Sequence, residues 1–189
     1  MKSRWTKTGD ALIQDARIFR LRGATYRRDR GPGLTPEVRE YHYLDSADWA
    51  NIVPLTEDRK VVLIRQFRIG IGDVALETPG GMVDPGDAGP LEAARRELVE
   101  ETGYGSEDLE MIGRSFPNPA IQNNTIWFFV ARGVRKIGGQ RLDPGEDIET
   151  ELVGLEEVDR LIAEGRIAHA LVLNAFDFLK RKHPEYWRP

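Results

Sequence analysis

Apolar positions along the chain follow two periods. Short aromatic or β-branched segments dominate the first part: Arg17 to Leu21 and Val38 to Leu44 read as strands, with Gly31-Pro32-Gly33 as the turn signal between them. They predict a small antiparallel sheet. Asn51 to Leu55 is followed by the polar turn Glu57-Asp58-Arg59 and the unbroken apolar run Val61-Val62-Leu63-Ile64; a second such run is Ile126 to Val130. Unbroken runs of this length suit strands buried on both faces. Three other segments repeat at the helical period. The first is opened by Pro90 and closed by Gly103, with Leu91, Ala94 and Leu98 about a turn apart. The second, Glu156 to Glu164, carries Leu155, Val158, Leu161 and Ile162 on one side, with Gly165 after its end. The third, His169 to Lys182, places Leu171, Val172, Ala175, Phe178 and Leu179 on one stripe, with basic residues in its last turn and Pro184 beyond. Strands, helix, strands, then helices predict a mixed α/β (α+β) layered fold without internal repeats.

Composition narrows the field by exclusion. A chain of 189 residues suits one domain with a full apolar core and a small appended subdomain. With 40% hydrophobic and 31% charged residues it has ordinary globular usage. The net charge is −4 and the one basic run is Lys180-Arg181-Lys182, so no nucleic-acid partner is expected. The absence of cysteine excludes disulfides and thiolate metal sites. No stretch has the length and apolarity of a signal peptide or a membrane span, so no membrane partner is expected and the cytoplasm is the expected location.

Candidate chemistry is concentrated between Glu77 and Tyr104. Glu97, Glu100 and Glu101 stand at i, i+3 and i+4, so their carboxylates leave one helix face together. Each like-charge pair at that spacing costs roughly 0.2–0.5 kcal/mol in an isolated helix, and a bound hard dication removes that cost. Carboxylate oxygens suit magnesium or manganese. Taken alone, the same pattern also describes a solvated acidic face. The preceding loop adds to it: Thr78-Pro79-Gly80-Gly81 and Asp84-Pro85-Gly86 are poor in side chains, which lets backbone groups approach a metal or a phosphate.

Loop and helix together resemble the Nudix box, in which a Gly, five residues, a Glu and seven residues precede Arg-Glu-aliphatic-any-Glu-Glu-any-Gly-aliphatic. Gly81 opens the motif, and Arg96 to Gly103 match its second half at every specified position. The chain departs from it in three ways. Asp87 stands in place of the first Glu, the eight residues Ala88 to Arg95 intervene instead of seven, and Tyr104 replaces the last aliphatic.

The resemblance implies a Nudix α/β/α sandwich at 49–189 and a small N-terminal antiparallel β subdomain at 1–48. It implies Mg2+, with Mn2+ as the alternative, held by Glu97, Glu100, Glu101 and the Gly80 carbonyl, and Arg96 orienting the carboxylates. Arg65-Gln66-Phe67-Arg68 is similar to the Gln-aromatic-Arg signature of the ADP-ribose pyrophosphatase branch, which implies Arg68 as a phosphate clamp with Arg65 beside it. Pro119 follows Tyr104 at that branch's spacing, and the amides Gln122 and Asn123 after it are candidates for reading a base or a hexose. Trp49, Tyr41 and Tyr43 are candidates for stacking on the base. The acidic segment Asp143 to Glu149 would supply the general base, Glu146 first and Glu149 second, with Glu101 also in the catalytic set.

The implied reaction is hydrolysis of the diphosphate of ADP-ribose or a related nucleoside diphosphate sugar, by a homodimer, to a nucleoside monophosphate and a sugar phosphate. The rival substrates are dinucleoside polyphosphates, nucleoside triphosphates and RNA 5′ ends. A ligand-sensing domain without turnover is the rival class, and it usually accompanies a DNA-binding module for which this length leaves no room. His42, His169 and His183 have no metal-ligand spacing and are assigned no chemistry.

Overall fold

The structure, a computed structural model, describes residues 4–187. The described residues divide into two compact units, one built from residues 4–47 with 116–125 and the other from 48–115 with 126–187.

In the first unit, β1 (Trp5–Asp15), β2 (Arg20–Arg28) and β3 (Glu37–Asp45) form an antiparallel sheet in that order. The small antiparallel sheet expected from the sequence is present, but the strand expected from Arg17 is not. Arg17 sits in a turn at φ 68°, with its N–H donating to Asp15 Oδ1 at 2.8 Å, and pairing starts only at Arg20. A side chain capping its own turn competes with the ladder, and here it wins. Segment 116–125 joins this sheet through the Leu44 N–H, which donates to the Ile121 carbonyl at 2.7 Å. Asn123 Nδ2 also donates to Asp45 Oδ1 at 2.6 Å.

The second unit is a layered α/β structure. Its strands are β4 (Trp49–Leu55), β5 (Lys60–Arg68), β6 (Asp73–Glu77), β7 (Gly80–Met82), β8 (Tyr104–Gly105), β9 (Asp108–Ser115), β10 (Ile126–Arg132), β11 (Arg135–Lys136) and β12 (Ile148–Gly154). The main sheet runs β12-β5-β4-β10-β9, with β6 on β5 and β7 on β4. β4 and β10 are parallel and their other neighbours antiparallel, so the sheet is mixed. The helices are α1 (Pro90–Thr102), α2 (Val158–Ala163) and α3 (Ala170–Lys182).

The unbroken apolar runs of β5 and β10 supply both faces of this sheet. Val61 and Leu63 join Phe128, Val130, Phe176 and Leu179 in one core, whereas Val62 joins Phe129, Ala94 and Leu98 in the other. Strand alternation sends successive residues to opposite faces, so the sheet is filled on one side by α2 and α3 and on the other by α1. Helix α1 ends as expected, with Gly103 in the left-handed region at φ 68°. The expected apolar stripe of α1 is shifted: Leu91 is exposed, and Ala93 joins Ala94 and Leu98 inside. No helix among the described residues is long and apolar enough to cross a membrane.

Candidate active site

Helix α1 starts immediately after the glycine-rich segment, so the inward face of its last two turns lies against β7. Gly80 and Gly81 pair with Asn51 and Ala50 of β4, and the absence of a side chain on Gly81 makes room for Glu97. A Cβ on Gly81 would stand 2.3 Å from Glu97 Oε1. The Gly80 N–H donates to Glu101 Oε2 at 2.8 Å, which fixes that carboxylate at the floor of the site.

A cavity of about 270 Å³ opens over this floor, walled by Gly80, Gly81, Glu97, Glu100 and Glu101 together with Arg96, Arg68 and Glu146. The expected metal ligands, the phosphate clamp, the orienting arginine and the first-choice base therefore meet in one place, although they come from β5, β7, α1 and the loop before β12. Glu146 Oε2 accepts the Asp143 N–H at 2.8 Å, so the acidic loop closes on itself and presents the Glu146 side chain from a tight turn.

Burial and mutual repulsion leave two of these carboxylates reluctant to ionise. Glu101 is 3% exposed. Its burial, with Glu97 and Glu146 nearby, pushes its pKa up to about 8 against the opposing Gly80 hydrogen bond. Burial likewise pushes Glu97 up to about 6, opposed by Arg96 and reinforced by Glu100 and Glu146. Arg96 is the positive group set among them: its Nη1 donates to Glu97 Oε1 at 2.9 Å and to Glu100 Oε2 at 3.0 Å. Asp87 holds the other edge of that guanidinium, which raises the arginine's pKa further above its usual range.

Among the described residues no three acidic or histidine side chains stand at the mutual spacing of a preformed metal site. The fit to a divalent cation rests on the donor set instead. Glu97, Glu100 and Glu101 offer hard carboxylate oxygens around a cavity that is short of positive charge, and a dication is the group that offsets the cost of ionising Glu97 and Glu101.

Arg68 lines the same cavity, but its guanidinium is already engaged. Nε and Nη2 donate to Oε1 and Oε2 of Glu77 at 2.9 and 2.8 Å, and Glu77 is 1% exposed. His169 Nδ1 lies 3.0 Å from Glu77 Oε2.

The other expected site residues stand elsewhere. Arg65 is one residue out of phase with Gln66 and Arg68, so it leaves the opposite face of β5, where it pairs with Glu151 at 2.5 Å. Glu149 is the cross-strand partner of Arg65 and shares that face, apart from the residues that wall the cavity. Trp49 packs against the core that contains Phe128 and Phe176. Gln122 and Asn123 belong to the first unit, where they line a separate cavity of about 450 Å³ with Trp5, Tyr26, Tyr41 and Tyr43.

The structure adds Gln66, Asp84, Arg141 and Asp143 to the wall of the carboxylate cavity. Gln66 was within reach of the sequence, because it sits two residues before Arg68 on a strand. Arg141 carried no signal there, since its place depends on how the loop after β11 folds.

Known proteins share sequence and fold with this chain. A family profile described as NUDIX domain matches residues 46–176. The chain is 28% identical over 132 residues to the ADP-ribose pyrophosphatase of Bacillus subtilis (strain 168), covering 69% of this chain and 71% of that protein. It is 29% identical over 183 residues to the GDP-mannose pyrophosphatase of Enterobacter sp. (strain 638), covering 90% and 92%. A crystal structure of an ADP compounds hydrolase superposes with a TM-score of 0.82 at 21% identity, covering 99% of this chain and 98% of the other, and so shares the fold. By its matched domain and its architecture, the chain belongs to the Nudix family.

Proposed function

We propose that this protein is a hydrolase that cleaves the diphosphate of nucleoside diphosphate sugars, with ADP-ribose and GDP-mannose as the leading candidates, to a nucleoside monophosphate and a sugar phosphate. Members of the family generally use a divalent metal, and Mg2+ is the proposed ion, with Mn2+ as the alternative. The observation that carries the reading is the convergence of Glu97, Glu100, Glu101, Arg68, Arg96 and Glu146 on one cavity beside Gly80. The names of relatives that the chain matches over most of their length, an ADP-ribose pyrophosphatase and GDP-mannose pyrophosphatases, support the substrate class.

In this reading Glu97, Glu100, Glu101 and the Gly80 carbonyl hold the metal. When bound, it supplies charge neutralisation for the diphosphate and lowers the pKa of the attacking water. Arg68 binds the diphosphate, and Arg96 keeps Glu97 and Glu100 aimed at the cavity. Glu146 takes the proton from water. Glu149 is the second choice for that role, and the face it shares with Arg65 favours Glu146. Gln122 and Asn123 are proposed contacts to the base or the sugar. Arg65, paired with Glu151 on the opposite face of β5, and Trp49, packed against the core, make no substrate contact in this reading. Homodimerisation belongs to the same proposal, supported by the exposed Leu12, Ile13 and Val38 on the three-stranded sheet.

Product analysis by chromatography tests the reading, with ADP-ribose, GDP-mannose, UDP-glucose, a dinucleoside polyphosphate and GTP offered in the presence of magnesium or of a chelator. Metal-dependent release of nucleoside monophosphate from the sugar conjugates is expected. Turnover confined to GTP or the dinucleotide would refute the substrate class.

A further inference from the structure

The Arg68 guanidinium is held on one edge by a carboxylate that has almost no access to water. Both of its bonds to Glu77 use Nε and Nη2, at 2.9 and 2.8 Å, so Nη1 is on the side left for another acceptor. Arg68 keeps 40% of its side-chain surface and walls the carboxylate cavity, whereas Glu77 is 1% exposed. The second oxygen of Glu77 is in turn met by His169 Nδ1 at 3.0 Å, from the residue that precedes α3. Burying a carboxylate is unfavourable, and a pair with a purely structural role is commonly replaced by apolar residues without loss of stability. A buried carboxylate whose arginine partner faces a cavity has a different use. It fixes the plane of the fork before a ligand arrives, so that less side-chain freedom is lost on binding.

We propose that Glu77, backed by His169, is the positioning residue that presents Arg68 to the diphosphate of the substrate. The inference rests on the reading of Arg68 as a phosphate contact. Glu77 touches neither substrate nor metal; it acts through Arg68. Replacing it with glutamine removes the charge and half of the fork while keeping the volume, and Arg68 then samples several rotamers.

The test compares wild type, Glu77→Gln, Arg68→Ala and the double variant by thermal melting, by steady-state kinetics on whichever nucleotide the wild type turns over, and by calorimetric titration of inorganic pyrophosphate in chelator. Glu77→Gln is expected to raise KM about tenfold with kcat nearly unchanged, the scale of one charge-assisted hydrogen bond. It is also expected to weaken pyrophosphate binding to a similar degree. In the Arg68→Ala background the same change adds nothing, because the residue it positions is gone. Unaltered KM and pyrophosphate affinity in Glu77→Gln, or full additivity with Arg68→Ala, would overturn the proposal. If Glu77→Gln does not fold, His169→Gln serves in its place: a smaller rise in KM supports the inference and an unchanged KM refutes it. The pyrophosphate titration uses no nucleotide sugar, so it decides this point even where the substrate assignment fails.

Discussion

Asp87 grips the guanidinium of Arg96 through both carboxylate oxygens, 3.1 Å from Nε and 3.1 Å from Nη2. The other end of the same guanidinium reaches Glu97 and Glu100, so Asp87 controls the direction of two proposed metal ligands without lying beside the metal itself. Asp87→Ala is expected to reduce kcat by about 10–100-fold, the usual effect of losing a group that orients metal ligands. The melting temperature should fall little. A variant with wild-type kcat would show that Arg96 needs no anchor.

Gly80 and Gly81 are adjacent, and methyl groups added to them meet different obstacles. A Cβ on Gly80 would lie 2.3 Å from the Ala50 carbonyl oxygen and 2.9 Å from Asn51 Cα, both backbone atoms that cannot move aside. Gly80→Ala is therefore expected to destabilise the protein by about 1–3 kcal/mol, as overpacking does. A Cβ on Gly81 would meet the far end of Glu97, which can swing away. Gly81→Ala should keep its melting temperature and lose divalent-metal affinity, about 10-fold or more. Thermal melts with and without magnesium separate the two outcomes, and equal destabilisation by both variants would contradict this account of the loop.

Glu77 makes stability depend on pH. Burial opposes its ionisation, but His169 and Arg68 outweigh burial and hold its pKa at about 2 in the folded protein, against 4.5 as the ordinary value. Between those two values the unfolded chain carries the more protonated form, so stability rises with pH. The contribution is fully present above pH 4.5 and is lost as the pH falls toward 2. Urea unfolding across this window should give a shallower slope of stability against pH for Glu77→Gln than for wild type. Identical slopes would remove Glu77 from the linkage.

Divalent metal should stabilise the folded chain, because it binds a donor set that exists only after folding. At a concentration about 100-fold above Kd the gain is about 2.7 kcal/mol. For a chain of this size each kcal/mol moves the melting temperature by about 2–4 °C. Magnesium should therefore raise the melting temperature by several degrees and a chelator should reverse it. No shift at saturating metal would count against the proposed ligands.

How far the sequence reaches depends on what each residue's surroundings impose on it. Val61 to Ile64 declared a strand buried on both faces, and the structure buries all four completely. The same unbroken run hides the alternation that separates Arg68, which walls the cavity, from Arg65, which does not; a strand with one wet face would have shown the phase. Trp5–Asp15 escaped notice because nearly all of the strand is exposed and its composition is mixed, so its pairing with β2 left no apolar trace. The longer box was legible as a departure but not in its consequence. The extra residue lies between Asp87 and Arg96, in the stretch where Gly89 precedes Pro90 at the start of α1, and Asp87 still reaches Arg96. Glu97, Glu100 and Glu101 were legible because helical spacing alone puts them on one face. That Glu77 lies beneath Arg68 was not, since it requires β6 to pair with β5 so that Asp73 stands opposite Arg68 and Glu77 opposite Ile64.

The most direct test of the central claim is Glu101→Gln, measured for turnover of a nucleoside diphosphate sugar, for magnesium binding and for thermal stability in chelator. Glutamine keeps the size of the side chain and an acceptor for the Gly80 N–H. It also removes a carboxylate that burial makes costly to ionise. The account predicts a folded protein at least as stable as wild type in chelator, with weakened magnesium binding and turnover lower by about two orders of magnitude or more. A folded variant with near wild-type turnover and magnesium affinity would contradict it.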